Sequence, residues 1–321
     1  MKKPLSELIE DFLGDQDINT LSRRTYRLAV THFTKWVVVS GIRWWEMKRK
    51  DIINYKAWLL KEGKSLYTVD LYLTVVRRLF SWLEDQGLCE NVAMGVRSPR
   101  KEKKYRRGYL TMEQVDRLLG DIDRSTITGK RDYAIITMML GAGLRRVEVS
   151  RMSVGDIDAE RMVVRLQRKG HSEKDTELCI SDQMLEAIHD YLSAREGWDE
   201  ESPLFAIHVK YLEGRRMRPE GISQMIMSRY ERAGIDCSRM TCHSLRHTAA
   251  VQALKAGASL YDVQQMLGHT DIKTTTIYLK SIEDETRVNN RAVHLLAEVL
   301  AKGKAEAGNS TFEMNKQEMK W

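Results

Sequence analysis

Between Ser65 and Gln86 the apolar residues Leu66, Val69, Leu73, Val76, Leu79, Phe80 and Leu83 recur every three or four positions, with no Gly or Pro among them. Such a stripe is one face of a long helix and has to be covered by other apolar faces. Three earlier stretches supply them. From Pro4 to Gly14, Leu5, Leu8, Ile9 and Phe12 fall at helical spacing, with Ser6 placed to cap. From Thr20 to Ser40, Leu21, Tyr26, Ala29, Val30, Phe33, Trp36 and Val37 share one side, while Arg23, Arg24 and Arg27 lie on another. Arg49 to Leu60 reads as a third helix with Asp51 as its N-cap. Four amphipathic helices with short connections make a small bundle over residues 1–96.

A run without apolar period follows. Between 97 and 107, Arg97, Arg100, Lys101, Lys103, Lys104, Arg106 and Arg107 oppose only Glu102, which accounts for nearly all of the chain's formal charge of +7. The run is a basic linker, residues 97–108, placed to lie along phosphates and release counterions. Arg77 and Arg78, opposite the apolar stripe of their helix, are further candidate DNA contacts. A pI near 9.1 favours nucleic acid as partner.

Residues 109–302 carry a second, mostly helical unit. Thr111 to Gln114 resembles a capping box slipped by one, its Glu at 113. Helices are expected over 111–120, 130–140, 181–195, 222–233, 244–255, 260–266 and 283–300. Met162 to Leu166 and Glu177 to Ile180 alternate as two strands of a hairpin. With only four prolines, the chain is expected to be mainly α, with a small antiparallel sheet in the second unit (α+β). Residues 303–321 form a polar tail in which Phe312, Met314, Met319 and Trp321 are candidate anchors on a neighbouring subunit. No apolar run approaches the roughly 20 residues of a membrane span. The acidic residues near Met1 do not read as a signal peptide, and Cys89, Cys179, Cys237 and Cys242 lack Cys-x-x-Cys spacing. Together these favour a reducing, cytoplasmic setting with free thiols.

The residues that carry chemistry lie between His243 and Tyr278. His243 and Arg246 are placed i,i+3 on one helix face, Gly268 ends the next helix, and His269 and Tyr278 follow. A guanidinium makes paired hydrogen bonds to phosphate and stays charged. An imidazole moves protons near neutrality, and a phenol is a nucleophile that forms covalent intermediates. The set suits metal-free attack on a phosphodiester.

These residues resemble the tyrosine recombinase (phage integrase, XerC/XerD-like) family, through His243-Ser-Leu-Arg-His247, Leu267-Gly-His269 and Thr274-Thr-Thr-Ile-Tyr278. Gly141-Ala-Gly-Leu-Arg145-Arg-Val-Glu148 is similar to the family's Thr-Gly-Leu-Arg-x-x-Glu, with Ala142 for Thr. Lys169-Gly170 matches its Gly-Lys-Gly turn apart from Arg168. The resemblance implies Tyr278 as nucleophile, Arg145 and Arg246 as phosphate ligands, His243 and His269 as aids to proton transfer, and Glu148 as an orienting acid. It also implies Lys169 as general acid, with Lys174 a competitor because the loop is longer than usual; His247 is assigned to packing. The first unit resembles the family's core-binding (SAM-like) domain, with Phe80-Ser-Trp-Leu83 before Gly87.

The activity implied is site-specific recombination through a 3′-phosphotyrosine, without metal, ATP or cofactor, by a tetramer on double-stranded DNA carrying specific sites. Three rivals stand beside it. They are a type IB-like topoisomerase, a DNA-binding protein with an inactive site, and a zinc hydrolase using His243, His247 and His269. The last lacks His-Glu-x-x-His, since Ser244 takes the glutamate position.

Overall fold

The computed structural model describes residues 4–100, 108–168, 171–288 and 295–296. The candidate residues Lys101, Lys103, Lys104, Arg106, Arg107 and Lys169, and the tail over 303–321, lie outside them. The chain divides into two compact units, Met1–Lys104 and Tyr105–Trp321.

The first unit is a four-helix bundle of α1 (Leu5–Gly14), α2 (Thr20–Val39), α3 (Arg49–Lys61) and α4 (Leu66–Asp85). Asn19 caps α2 by accepting from Ser22 N, and Ser65 caps α4 by accepting from Thr68 N. Phe33 of α2 sits at the centre, edge-on to Tyr55 of α3 (4.9 Å) and Phe80 of α4 (6.0 Å). Trp82 packs on Phe12 and donates its indole N–H to Asp15. Two caps differ from expectation. Ser6 lies inside α1, because Pro4, held extended with φ −61°, starts the helix one residue later. Asp51 is the third residue of α3 rather than its cap, and its carboxylate accepts the Lys48 N–H from inside the first turn.

The second unit comprises α5 (Met112–Gly120), α6 (Ile127–Gly141), α7 (Arg146–Arg151), β1 (Ile157–Asp158), β2 (Val163–Leu166) and β3 (Thr176–Cys179). It continues with α8 (Asp182–Ser193), α9 (Pro219–Arg232), α10 (Cys242–Lys255), α11 (Leu260–Leu267) and α12 (Ile272–Val288). The strands pair antiparallel in the order β1-β2-β3, with Val163 opposite Cys179 and Leu166 opposite Thr176. The expected hairpin thus gains a third strand; β1 is two residues long, too short to show alternation. The Thr111 capping box is in register after all: Thr111 N donates to Gln114 Oε1 and Gln114 N to Thr111 Oγ1, without Glu113. Tyr278 lies within α12, a helix that begins at Ile272 rather than near Glu283.

α6 is the axis of this unit, with α8, α9 and α10 packed on it. Its apolar residues Ala134, Ile135, Ile136, Met138 and Met139 are buried. α10 is buried on nearly every side, polar residues included: Ser244, Arg246, His247 and Thr248 are each 2% exposed or less. That is why it lacks the one-sided apolar stripe of a surface helix. Among the described residues no helix is long and apolar enough to cross a membrane. All four cysteines are free thiols.

A buried ionic cluster ties α6 to α9. Asp132 accepts from Arg131 through one oxygen (3.0 and 2.7 Å) and from Arg229 through the other (3.1 and 2.7 Å), and Arg131 reaches on to the Ala206 carbonyl. The carboxylate is 5% exposed and each guanidinium 11%. Removing one member strands the others without solvent. Asp132→Ala is therefore expected to lower the stability of this unit by about 3–5 kcal/mol in denaturant unfolding; a loss below about 1 kcal/mol would show the cluster to be incidental.

Candidate active site

The C-terminal end of α11 is where the candidate residues meet. Gly268, with φ +60° and ψ 50°, closes that helix in the left-handed conformation and leaves the last carbonyls facing inward. The Leu267 carbonyl accepts from Arg246 Nη2 at 2.7 Å and from Arg145 Nη1 at 3.3 Å. One main-chain oxygen thus brings together two arginines a hundred residues apart in sequence.

Arg145 stands at the N-cap of α7. Glu148, three residues on and 1% exposed, accepts both the Arg145 backbone N–H and its Nη1, each at 2.8 Å. The acid therefore caps the helix and aligns the guanidinium in one arrangement. Arg246, on the second turn of α10, is fully buried. Its Nη1 donates to the Gly143 carbonyl at 2.6 Å and its Nη2 approaches His269 Nε2 at 3.0 Å. Gly143 follows α6 with φ +61°, and a Cβ there would lie 2.6 Å from Leu267 Cδ2. Glycine is required on both counts: the backbone turn and the closeness of the α11 terminus.

The hydrogen bonds settle the tautomer of His269. A guanidinium only donates, so Nε2 carries the lone pair and Nδ1 carries the proton, which faces Thr275 Oγ1 at 2.9 Å. Burial, then the positive charges of Arg246 and Arg145, hold this imidazole down at about 4. It is neutral at physiological pH and presents a basic nitrogen beside Arg246. Tyr278 is 4% exposed and stacks with His269 (centroids 6.2 Å, planes 10° apart). Burial raises its phenol above the ordinary value, while Arg246, by charge and hydrogen bonding, and Arg145 pull the other way. Tyr278 is thus a neutral phenol, and to act as a nucleophile it would need a proton acceptor.

His243, in the first turn of α10, is exposed while Arg246 is buried, so the two do not share one environment. Its charge is felt by both His269 and His247. His247 packs between the rings of Tyr109 (5.2 Å) and Tyr278 (5.1 Å), as expected of a packing residue. Lys174 is committed elsewhere: its ammonium pairs with Asp156 and reaches Ser153 at 3.4 Å. In the first unit, Arg78 is exposed and lies over the Tyr26 ring. Arg77 is more covered, with 34% of its side chain exposed. It donates to the Leu73 carbonyl, Thr74 and Ser98 and lies 3.9 Å from Asp70, because the chain leaving the bundle folds back over it. Arg97 and Arg100 are exposed.

Sequence reasoning did not anticipate Arg168, only 5% exposed, whose Nη1 lies 3.5 Å from Glu148 Oε2. Three guanidinium groups, of Arg145, Arg168 and Arg246, thus share the single carboxylate of Glu148. Burial and the neighbouring Arg145 lower Arg246 to about 10. Such an excess of buried positive charge favours an anion, and a phosphate has the right chemistry to pair with it. Among the described residues no three His, Cys, Asp or Glu side chains converge as a metal-ligand set.

One pH effect follows. His247 is 1% exposed and burial lowers it to about 4, against 6.5 when unfolded. A depressed base favours the neutral form, so its stability contribution is complete above pH 6.5 and is lost as pH falls towards 4. His247→Phe is expected to shrink the drop in unfolding temperature between pH 7.5 and 5; an equal drop in both proteins would refute this.

The geometry can now be set beside known proteins. The phage integrase family pattern matches residues 108–285, and that of the phage integrase N-terminal SAM-like domain matches residues 5–87. The tyrosine recombinase XerA of Thermococcus onnurineus is 29% identical over 93% of this chain and 99% of its own length. The tyrosine recombinase XerD of Listeria innocua is 27% identical over 85% and 94%. In fold, the Tn1549 transposon integrase in complex with circular intermediate DNA superposes with a TM-score of 0.68 at 16% identity, over 86% of this chain and 95% of that one. A lambda integrase tetramer bound to a Holliday junction gives 0.67 at 16%, over 85% and 76%. With over half its length matched by that family's catalytic pattern and its helical bundle by the accompanying domain, this chain belongs to the phage integrase family.

Proposed function

We propose that this protein is a site-specific DNA recombinase that cuts and rejoins DNA through a covalent 3′-phosphotyrosine. The observation that carries it is the convergence of Arg145 and Arg246 on one carbonyl, with His269 bonded to Arg246 and Tyr278 stacked on His269, in a buried site with excess positive charge.

The Tyr278 oxygen attacks the scissile phosphorus, the P–O5′ bond breaks, and a 3′-phosphotyrosyl link forms. The phenolic proton passes to an imidazole of the site, His269 or His243. A proton from Lys169 reaches the departing O5′, so atoms and charge balance. Arg145 and Arg246 hold the non-bridging oxygens, whose negative charge grows in the transition state; preorganised donors of this kind are worth on the order of 10²–10³ in rate each. Glu148 keeps Arg145 aligned. One phosphodiester is exchanged for another, so no ATP is required, and the 5′ hydroxyl of a partner strand reverses the step. Two duplexes must exchange strands, which calls for four protomers on DNA; the lambda integrase tetramer on a Holliday junction supports that assembly by analogy. The linker cations, with Arg78, Arg97 and Arg100, carry sequence-independent DNA contact, and the enzyme works in the cytoplasm.

The nucleophile is tested with a nicked suicide duplex carrying the candidate site, run on denaturing gels. Wild type is expected to leave a covalent protein–DNA adduct that Tyr278→Phe abolishes; persistence of the adduct in the Phe variant would remove Tyr278 from its role. Strand exchange between two labelled duplexes separates this reading from a topoisomerase, which would relax supercoiled plasmid and yield no exchange products.

The linker makes an independent prediction. Replacing Lys101, Lys103, Lys104 and Arg106 by Gln is expected to reduce the log–log salt slope of DNA binding by about three to four. An unchanged slope would show that these charges do not meet phosphates.

A further inference from the structure

Arg168 has no part in the proposed chemistry, yet it is built into the floor of the site. It lies just beyond β2 and is buried. Its Nη2 donates to the Met266 carbonyl at 3.0 Å, and its Nη1 lies 3.5 Å from Glu148 Oε2. Its far side is walled by Gly268: a Cβ there would stand 2.9 Å from Arg168 Nε and 3.0 Å from Cζ. The glycine that ends α11 therefore also makes room for this guanidinium.

The Met266 carbonyl held by Arg168 is the immediate neighbour of the Leu267 carbonyl, which collects Arg145 and Arg246. Its second partner, Glu148, is the acid that aligns Arg145. Arg168 thus touches both supports of the arginine pair. It is poorly placed to meet substrate itself, since Nε and Nη1 are closed off from solvent as well as lacking hydrogen-bond partners. Leaving guanidinium donors unused in an interior is costly unless the charge serves a purpose there. A purely packing residue at this position would be apolar.

We infer that Arg168 is a positioning residue for strand cleavage: through Glu148 and the α11 terminus it holds Arg145 and Arg246 where the scissile phosphate must bind. This rests on the proposed role of the arginine pair.

The test compares two substrates within each protein: an ordinary suicide duplex, and one with a methylphosphonate at the scissile position. The methyl group removes the negative charge that the arginines serve, while the same P–O5′ bond breaks. Adduct formation is measured in single turnover, and the ratio of the two rates is taken. That ratio is independent of how much protein is folded, so a destabilised variant still reports. Arg168→Met, which keeps bulk and loses the donors, is expected to slow phosphodiester cleavage on the order of tenfold or more and methylphosphonate cleavage far less. Arg145→Ala should move the ratio in the same direction.

Equal slowing of both substrates in Arg168→Met would reduce the residue to a structural strut and overturn the inference. So would the absence of slowing on either. If Arg145→Ala shifts the ratio and Arg168→Met does not, only this inference fails. If Arg145→Ala leaves the ratio unmoved, the phosphate-binding role of the pair fails and takes the inference with it.

Discussion

The site depends on keeping the Arg246 guanidinium charged in the protein interior. Its hydrogen bonds among the described residues go to the carbonyls of Gly143 and Leu267, to His269 and to the Tyr278 phenol, which are dipoles rather than full charges. Dipoles fix a guanidinium in place without neutralising it. A direct carboxylate partner would have held it as firmly but cancelled the charge that the proposed reaction requires. The acid is instead spent on Arg145, whose exposure is 22% for the side chain and whose partner Glu148 is fully buried. One carboxylate among three guanidinium groups is enough to let the cluster fold and too little to saturate it.

Main-chain acceptors set demanding terms. A carbonyl can turn towards a side chain only where its helix has ended, and α6 and α11 both end in left-handed glycines, Gly143 and Gly268. The two ends also face one another closely, Gly143 against Leu267, while Gly268 packs against Arg168 from beyond β2. The arrangement of the site is thus a property of how two helix termini meet. His269 follows one of those termini, and its contact with Thr275 links it to the first turn of α12, the helix that carries Tyr278.

Much of this was legible beforehand. Arg145, Glu148, Arg246, His269 and Tyr278 stand in short, recognisable strings, and the helices of the first bundle show their apolar stripes. The misreadings have local causes. Ser6 and Glu113 read as capping residues, but a cap is decided by backbone geometry within a residue or two, and Pro4 and Gln114 take those positions. Arg77 reads as a surface cation, and it is part-covered, with Ser98 accepting from its guanidinium. Lys174, the alternative to Lys169, pairs its ammonium with Asp156, a residue that no local pattern associates with it.

By itself, the sequence determined the helical class, the division into a bundle and a larger unit, and the identity of the chemical groups, because periodicity and short motifs are local properties. Only the tertiary structure decided which of those groups share one environment. It placed His243 in solvent and Arg246 in the core although they are three residues apart, fixed the proton of His269 on Nδ1, and made the Leu267 carbonyl the meeting point. It also brought Arg168 into the site, where the sequence showed only a cation in a polar loop. The physical reason is common to all four. Burial and hydrogen-bond partnership are set by segments far apart in the chain, and a main-chain oxygen leaves no mark in the sequence.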